Sequence, residues 1–193
     1  MTFLQDFAQH FQALSTNALQ EFQQIAVRKK YKAQHCLLEV GQVCTQIYVV
    51  EQGLLRSYYY DEKGRDTTSW IVAEHEPATQ PNSLYLGIPS TEFIETIENS
   101  ILWVLNAQQL MELVAKHHEM ALFTLHITQL YMLRYEERAR VLRRMTSAER
   151  YIYLNDKYPQ IVARAPIGHI ASYLGMDVAT LSRIRANLAY KRN

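Results

Sequence analysis

The stretch "IGHIASYLGMDVATLSRIRANL", residues 167–188, carries two short apolar-periodic runs around a single glycine. Ile167, Ile170, Ala171 and Leu174 fall at i, i+3, i+4 and i+7, one face of a helix. Gly175 ends that helix, since glycine most easily takes the left-handed backbone a helix terminus needs. Asp177 is placed to N-cap a second helix by accepting the backbone N–H groups of its first turn. Leu181, Ile184 and Leu188 then form the inward stripe, and the small Ala171 lets the two helices cross closely. This spacing predicts a helix-turn-helix.

Such a pair leaves Ala179, Thr180, Ser182, Arg183 and Ala186 facing outward, with the earliest of them entering a DNA major groove. Arg183 has the geometry for a bidentate contact to guanine O6 and N7. Ser182 and Thr180 can donate to phosphate or base, and Arg185, Lys191 and Arg192 would neutralise the backbone without reading sequence.

Charge supports that reading. The net charge of +1 hides a split: residues 1–130 hold 8 Lys and Arg against 14 Asp and Glu, whereas residues 131–193 hold 12 against 5. A basic module at one end of an acidic body fits a nucleic-acid-binding unit attached to a domain with another task. With 48% hydrophobic and 20% charged residues, the composition is that of a globular protein. No apolar run approaches the roughly 18 residues of a membrane span. The start "MTFLQDFAQHFQAL" is acidic rather than basic, so it does not read as a signal peptide. The two cysteines, Cys36 and Cys44, fit a reducing, cytoplasmic setting.

Upstream, "FLQDFAQHF" and "TNALQEFQQIAV" have helical periods, the second capped by Ser15 and burying Leu19, Phe22 and Ile25–Ala26. From about residue 31 to 105 the chain is rich in Val, Ile, Tyr, Thr and Trp and is punctuated by Gly41, Gly53, Gly64 and Gly87. "DEKG", 61–64, reads as a hairpin turn. This middle part is expected to be all-β, an antiparallel sandwich or roll. After Asn106 come a short amphipathic helix and a long one, about His118 to Arg144, without Gly or Pro. Leu122, Phe123, Leu125, Ile127, Leu130, Met132 and Leu133 make its first part apolar on more than one face. A surface helix needs one stripe, so the excess predicts a second partner, a copy of the same helix, the alternative being a core helix that crosses a monomer. A further helix is expected over about 147–157, followed by a break at Pro159.

Three stretches give the chain a resemblance to the CRP/FNR family of bacterial transcription regulators: "GQVCTQIYVVEQGLLRSYYYDEKGR", "SAERYIYLNDKYPQIVARAPIGHIASYLGM" and "TLSRIR". The form it most resembles ends just past the recognition helix. The resemblance implies an α+β fold: N-terminal helices and a cyclic-nucleotide-binding-type β-roll over 1–116, a dimerisation helix over 117–145, and a DNA-binding helix-turn-helix over 146–193. It implies that Ser182 and Arg183 stand where the family has base-reading serine and arginine, and that Ala179 replaces a glutamate that reads cytosine. The expected partners are a palindromic double-stranded operator with half-sites about 10–10.5 base pairs apart, a second copy of the chain, and a small-molecule effector. For an activator they include RNA polymerase, over a surface the sequence does not mark.

The effector end departs from the family. Its cyclic-nucleotide members hold phosphate with a Gly-Glu pair and an Arg followed by Ser or Thr. Here Ser90 and Thr91 occupy the Arg-Ser/Thr position, and no Arg or Lys lies between Arg65 and Lys116. A buried phosphate would lack its counter-charge, so cAMP is not expected as the ligand. The residues expected around any effector are Asn82, Ser83, Ser90, Thr91 and, from the long helix, Tyr135. No cofactor is expected: an iron–sulfur centre needs four cysteines, and His35, His75 and His126 read as ordinary histidines. Phosphate loops, nucleophile elbows and metal-binding His spacings do not occur, so no enzymatic activity is expected. The alternative is an effector-binding dimer whose helix-turn-helix no longer binds DNA.

Overall fold

The computed structural model describes residues 2–190. Helices α1 (Phe3–Phe11) and α2 (Thr16–Ile25) lead into strand β1 (Ala26–Tyr31). Strands β2 (Cys36–Leu38), β3 (Gln46–Gln52), β4 (Leu55–Tyr60), β5 (Asp66–Val72) and β6 (Pro77–Ala78) follow. Next come α3 (Pro81–Leu86), β7 (Phe93–Thr96), β8 (Ser100–Asn106), α4 (Ala107–Lys116) and α5 (His118–Arg144). The chain closes with α6 (Ser147–Lys157), α7 (Pro159–Arg164), α8 (Ile167–Tyr173) and α9 (Val178–Tyr190). The fold is α+β.

Two four-stranded antiparallel sheets, ordered β1-β8-β3-β6 and β2-β7-β4-β5, face each other as a roll. Alternate residues of both fill its interior, among them Tyr48, Val50, Leu55, Trp70, Val72, Ile94 and Leu102. The β4–β5 hairpin turns at Asp61–Gly64, where the Gly64 N–H donates to the Asp61 carbonyl (2.8 Å) and Gly64 takes φ +73°. Hydrogen bonds from Arg65 bring the Asp61 carboxyl down to about 2. At Gly53 the chain needs glycine twice over: φ is +114°, and a Cβ there would sit 2.2 Å from Ser100 Oγ.

On the other side of the β1-β8-β3-β6 sheet, α1, α2, α4 and α5 bury Phe7, Phe22, Leu110, Leu113, Met120 and Phe123 against Val49 and Leu105. The Phe123 ring meets Phe7, Phe11 and Phe22 edge-on at centroid distances of 5.9, 6.0 and 5.5 Å. This accounts for one apolar face of α5. The other is left outside: Leu125, Leu130, Met132 and Leu133 are 45–63% exposed.

Three sequence expectations need correction. The sheet begins at Ala26, not near residue 31, so Ala26 belongs to β1 rather than to the buried stripe of α2. β1 reads "AVRKKY" and is mostly exposed, so it has no apolar alternation to betray it; six residue pairs with β8 hold it instead. The middle part is not all-β. α3 starts on Pro81, whose missing N–H costs nothing in a first turn, and stops at Gly87 in the left-handed region. At six residues it is too short to show a helical period. Pro159 likewise opens α7 rather than only breaking the chain.

Candidate nucleic-acid interface

α8 and α9 pack across Ala171, Leu174 and Leu181, all at most 3% exposed. The turn between them follows the expected chemistry. Gly175 has φ +66°, and the Met176 N–H reaches back to the Ala171 carbonyl (3.0 Å), satisfying an end carbonyl of α8. Asp177 Oδ1 accepts from the Thr180 N–H (2.7 Å), and that backbone bond holds the Asp177 carboxyl below the usual carboxylate range.

The buried Leu181 with Ile184 and Leu188 marks the inward side of α9. At 3.6 residues per turn, Ala179, Ser182, Arg183 and Ala186 lie opposite, and all four are exposed, as is Arg185. Thr180 is half-buried and its hydroxyl donates to Asp177 Oδ2 (3.0 Å), so its proton is spent within the helix rather than offered outward. Arg183 lies back along the helix, Nε to the Ala179 carbonyl (3.4 Å) and Nη2 to Thr180 Oγ1 (3.3 Å). These bonds use one edge of the guanidinium and leave the Nη1–Nη2 edge, the pair that matches guanine O6 and N7. Lys191 and Arg192 lie outside the described residues.

The helical pair does not hang from α5 alone. Leu54, Ile71 and Ala73 of the roll share one apolar core with Leu154, Ile161, Ile170, Ala171 and Leu174. Polar clamps surround that core. Arg164 of α7 grips Glu74 through both terminal nitrogens (2.7 and 2.6 Å) and reaches Glu98 (2.9 Å). Ser172 Oγ accepts from the Thr68 N–H of β5 (2.8 Å). Arg138 of α5 donates to the Tyr173 carbonyl (2.9 Å) with its guanidinium 3.9 Å over that ring. Arg150 binds the carbonyls of Leu142, Met145 and Leu174, closing the ends of α5 and α8 together.

Much of the basic excess of residues 131–193 is thereby structural. Arg138, Arg150 and Arg164 serve the docking, Arg134 pairs with Glu76, and Lys157 with Glu137. The charge split visible in the sequence overstates what is left for a phosphate backbone. Most of these internal partners carry no local sequence signal: Arg164 meets Glu74 across 90 residues and Arg138 meets Tyr173 across 35, and only Arg150 also binds close by, at Met145 and Leu142.

His169 of α8 faces the roll with Nδ1 buried and unpartnered among the described residues. Burial pushes its pKa down; the charge of Arg56 adds to this, and Asp66 and Glu95 oppose it. The unfolded chain therefore takes up a proton that the folded chain refuses, and stability falls as pH drops below the ordinary histidine value of about 6.5. Above that value the contribution is intact. Thermal melts at about pH 7.5 and about pH 5.5 should show a lower midpoint at the acid end, and His169→Gln should shrink the gap.

The residues expected around an effector do not point one way. Ser83 is buried in α3, its hydroxyl accepting from the Cys44 N–H (2.7 Å) and donating to the Ile88 carbonyl (2.6 Å). Ser90 is buried and donates to the Glu92 carbonyl (2.7 Å), while Asn82 and Thr91 are exposed. Tyr135 reaches back to the roll and stacks on Trp70 at 4.4 Å, with Arg134 over the same indole at 5.1 Å. In place of a cation, the loop between β6 and β7 carries the carboxylate of Glu92, held by Ser69 Oγ (2.7 Å) and Gln80 Nε2 (2.9 Å).

Comparison with known proteins places this geometry. Residues 28–117 match the family described as "Cyclic nucleotide-binding domain". No sequence among the curated proteins matches the chain. Among solved structures, FixK2 from Bradyrhizobium japonicum is similar with a TM-score of 0.75 at 18% identity, covering 86% of each chain. The c-di-GMP responsive global regulator CLP of Xanthomonas campestris gives 0.70 at 14% identity, over 92% of this chain and 93% of that one. A regulator assigned to the crp/fnr family from Eubacterium rectale gives 0.69 at 16%, over 92% and 85%. Among the described residues no helix is long and apolar enough to cross a membrane. Residues 28–117 are thus similar to the cyclic nucleotide-binding domain family, and over most of its length the chain shares the fold of these three solved structures, one of them assigned to the crp/fnr family.

Proposed function

We propose that this protein is a homodimeric, sequence-specific DNA-binding transcription regulator of CRP/FNR type whose effector is not cAMP. Residues 1–116 serve as the sensor roll, 117–145 as the dimerisation helix and 146–193 as the DNA-binding helix-turn-helix. The observation that carries this reading is the outer face of α9: a capped, docked helix whose exposed first turns offer Ala179, Ser182 and Arg183, the arginine with one donor edge unspent. Arg185 adds phosphate neutralisation, and Asp177 contributes as the cap that fixes the helix start. Thr180 acts inside the helix, as the link between Asp177 and Arg183.

Two further observations support the rest. Leu125, Met132 and Leu133 form an exposed apolar stripe on α5, which a second copy of the helix would cover. In the roll, the absence of Arg and Lys from 66–115 and the presence of Glu92 in the β6–β7 loop disfavour a cyclic phosphate. The exposed Asn82 and Thr91, with Tyr135 of the long helix, would face whatever neutral or aromatic effector enters, on a loop whose shape the buried Ser83 and Ser90 hold.

Selection of bound duplexes from a random library, at fixed salt and without added ligand, tests the reading. A palindromic motif with half-sites about 10–10.5 base pairs apart is the expected result. No enrichment, with and without cell extract, would refute DNA binding.

A further inference from the structure

We propose that Val178 and Ala179 read the 5-methyl groups of thymine, so that the half-site combines one guanine with a methyl-bearing step; this rests on the DNA-binding reading above. The argument starts from what the first two turns of α9 lack. Among residues 178–184, "VATLSRI", there is one cation and no Asn, Gln, Asp or Glu. Adenine is ordinarily identified by a bidentate Asn or Gln, and cytosine by a carboxylate accepting from its amino group. Neither group is available here. The hydroxyl proton of Thr180 is committed to Asp177, which leaves Ser182 as the remaining neutral donor on the outer face.

What the helix start does present is hydrocarbon. Val178, the first helical residue, is 44% exposed, and Ala179 beside it is exposed at the centre of the outward face. Valine is β-branched and stiff at χ1, so its methyl groups hold a fixed direction. The Asp177 cap fixes the backbone that carries both residues. In free protein an exposed valine at a helix start gains nothing. In the major groove it meets the one apolar feature that base edges offer, the thymine methyl. Readout of this kind distinguishes thymine from cytosine at a position where a hydrogen-bonding side chain would have marked cytosine.

The test uses the selected operator with each thymine in turn replaced by deoxyuridine, which removes only the methyl. Burying one methyl is worth roughly four-fold in affinity, and about fifteen-fold when both half-sites of the dimer are altered. The expected result is one thymine position per half-site showing that loss with the wild-type chain. With Val178→Ala or with Ala179→Gly, the thymine and deoxyuridine duplexes should bind equally, whatever the overall affinity of the variant. Val178 and Ala179 are exposed, so thermal melts of the variants report folding separately. Deoxyuridine penalties absent everywhere, with operator binding intact, would overturn the proposal. So would a penalty that survives in both variants. A wild-type chain that binds no operator at all refutes the underlying reading instead, and is recognised by the failure of the unmodified duplex.

Discussion

Arg183→Ala is expected to reduce operator affinity by roughly 30-fold at least. A bidentate arginine–guanine contact is worth about 1–3 kcal/mol per site, and a dimer uses two, giving about 2–6 kcal/mol. The loss should be confined to specific binding. Duplexes that differ only at the contacted guanine should become nearly equivalent for the variant, because the side chain that separates them is gone. Arg185→Ala is the internal comparison. As a phosphate contact, it should weaken all duplexes alike and lower the slope of log affinity against log salt by about one per half-site. Both side chains are exposed, so neither change should move the thermal midpoint. An Arg183→Ala protein that still discriminates its operator would show that α9 does not read the groove through this residue.

Why these residues were legible in the sequence, and others were not, follows from the range of the interactions. The helical pair announces itself because its determinants are local: Ala171, Gly175, Asp177 and Leu181 lie within eleven residues, and each performs the task its type predicts. The long helix and the hairpin at Asp61–Gly64 are local in the same sense. β1 escaped because a strand held by ladder bonds, with its side chains in water, has no apolar period to read. The docking of α6–α9 on the roll escaped for a different reason. Arg164 finds Glu74 across 90 residues and Ser172 finds Thr68 across 104, and nothing in either segment names the other. A count of charges therefore assigned to nucleic acid several arginines that the fold keeps for itself. The effector residues were the least legible: Ser90 stands where the family has its Arg-Ser/Thr pair, yet its hydroxyl and that of Ser83 are spent on carbonyls of their own loop.

The most consequential residue for stability is one that motif reading passed over. Arg56 on β4 is 4% exposed and lies between two neighbouring strands. It takes both oxygens of Asp66 on β5 (2.6 and 2.7 Å), Glu95 on β7 (2.7 Å) and the hydroxyl of Thr68 (3.1 Å). Its guanidinium also covers the Tyr58 ring at 4.0 Å. A bidentate fork of this kind cannot be replaced by the point charge of lysine. Arg56→Ala strands the Glu95 carboxylate, whose side chain is 14% exposed, while Asp66, at 39%, can recover water. Removing one member of a buried ion pair costs about 3–5 kcal/mol, and the partial exposure of Asp66 puts the expected loss near the lower end of that range. For a chain of this size the melting midpoint should fall by roughly 6–12 °C. Adding Glu95→Gln to Arg56→Ala should return part of the loss, since a neutral amide is far cheaper to leave unpaired than a charge. A single mutant as stable as wild type would mean that water replaces the arginine at no cost. The same network underlies the seat of α8: Asp66 and Thr68 bind Ser172, and His169 feels the charge of Arg56. Arg56→Ala should therefore also raise protease sensitivity around the α5–α6 junction, where helices α6–α9 would begin to part from the roll.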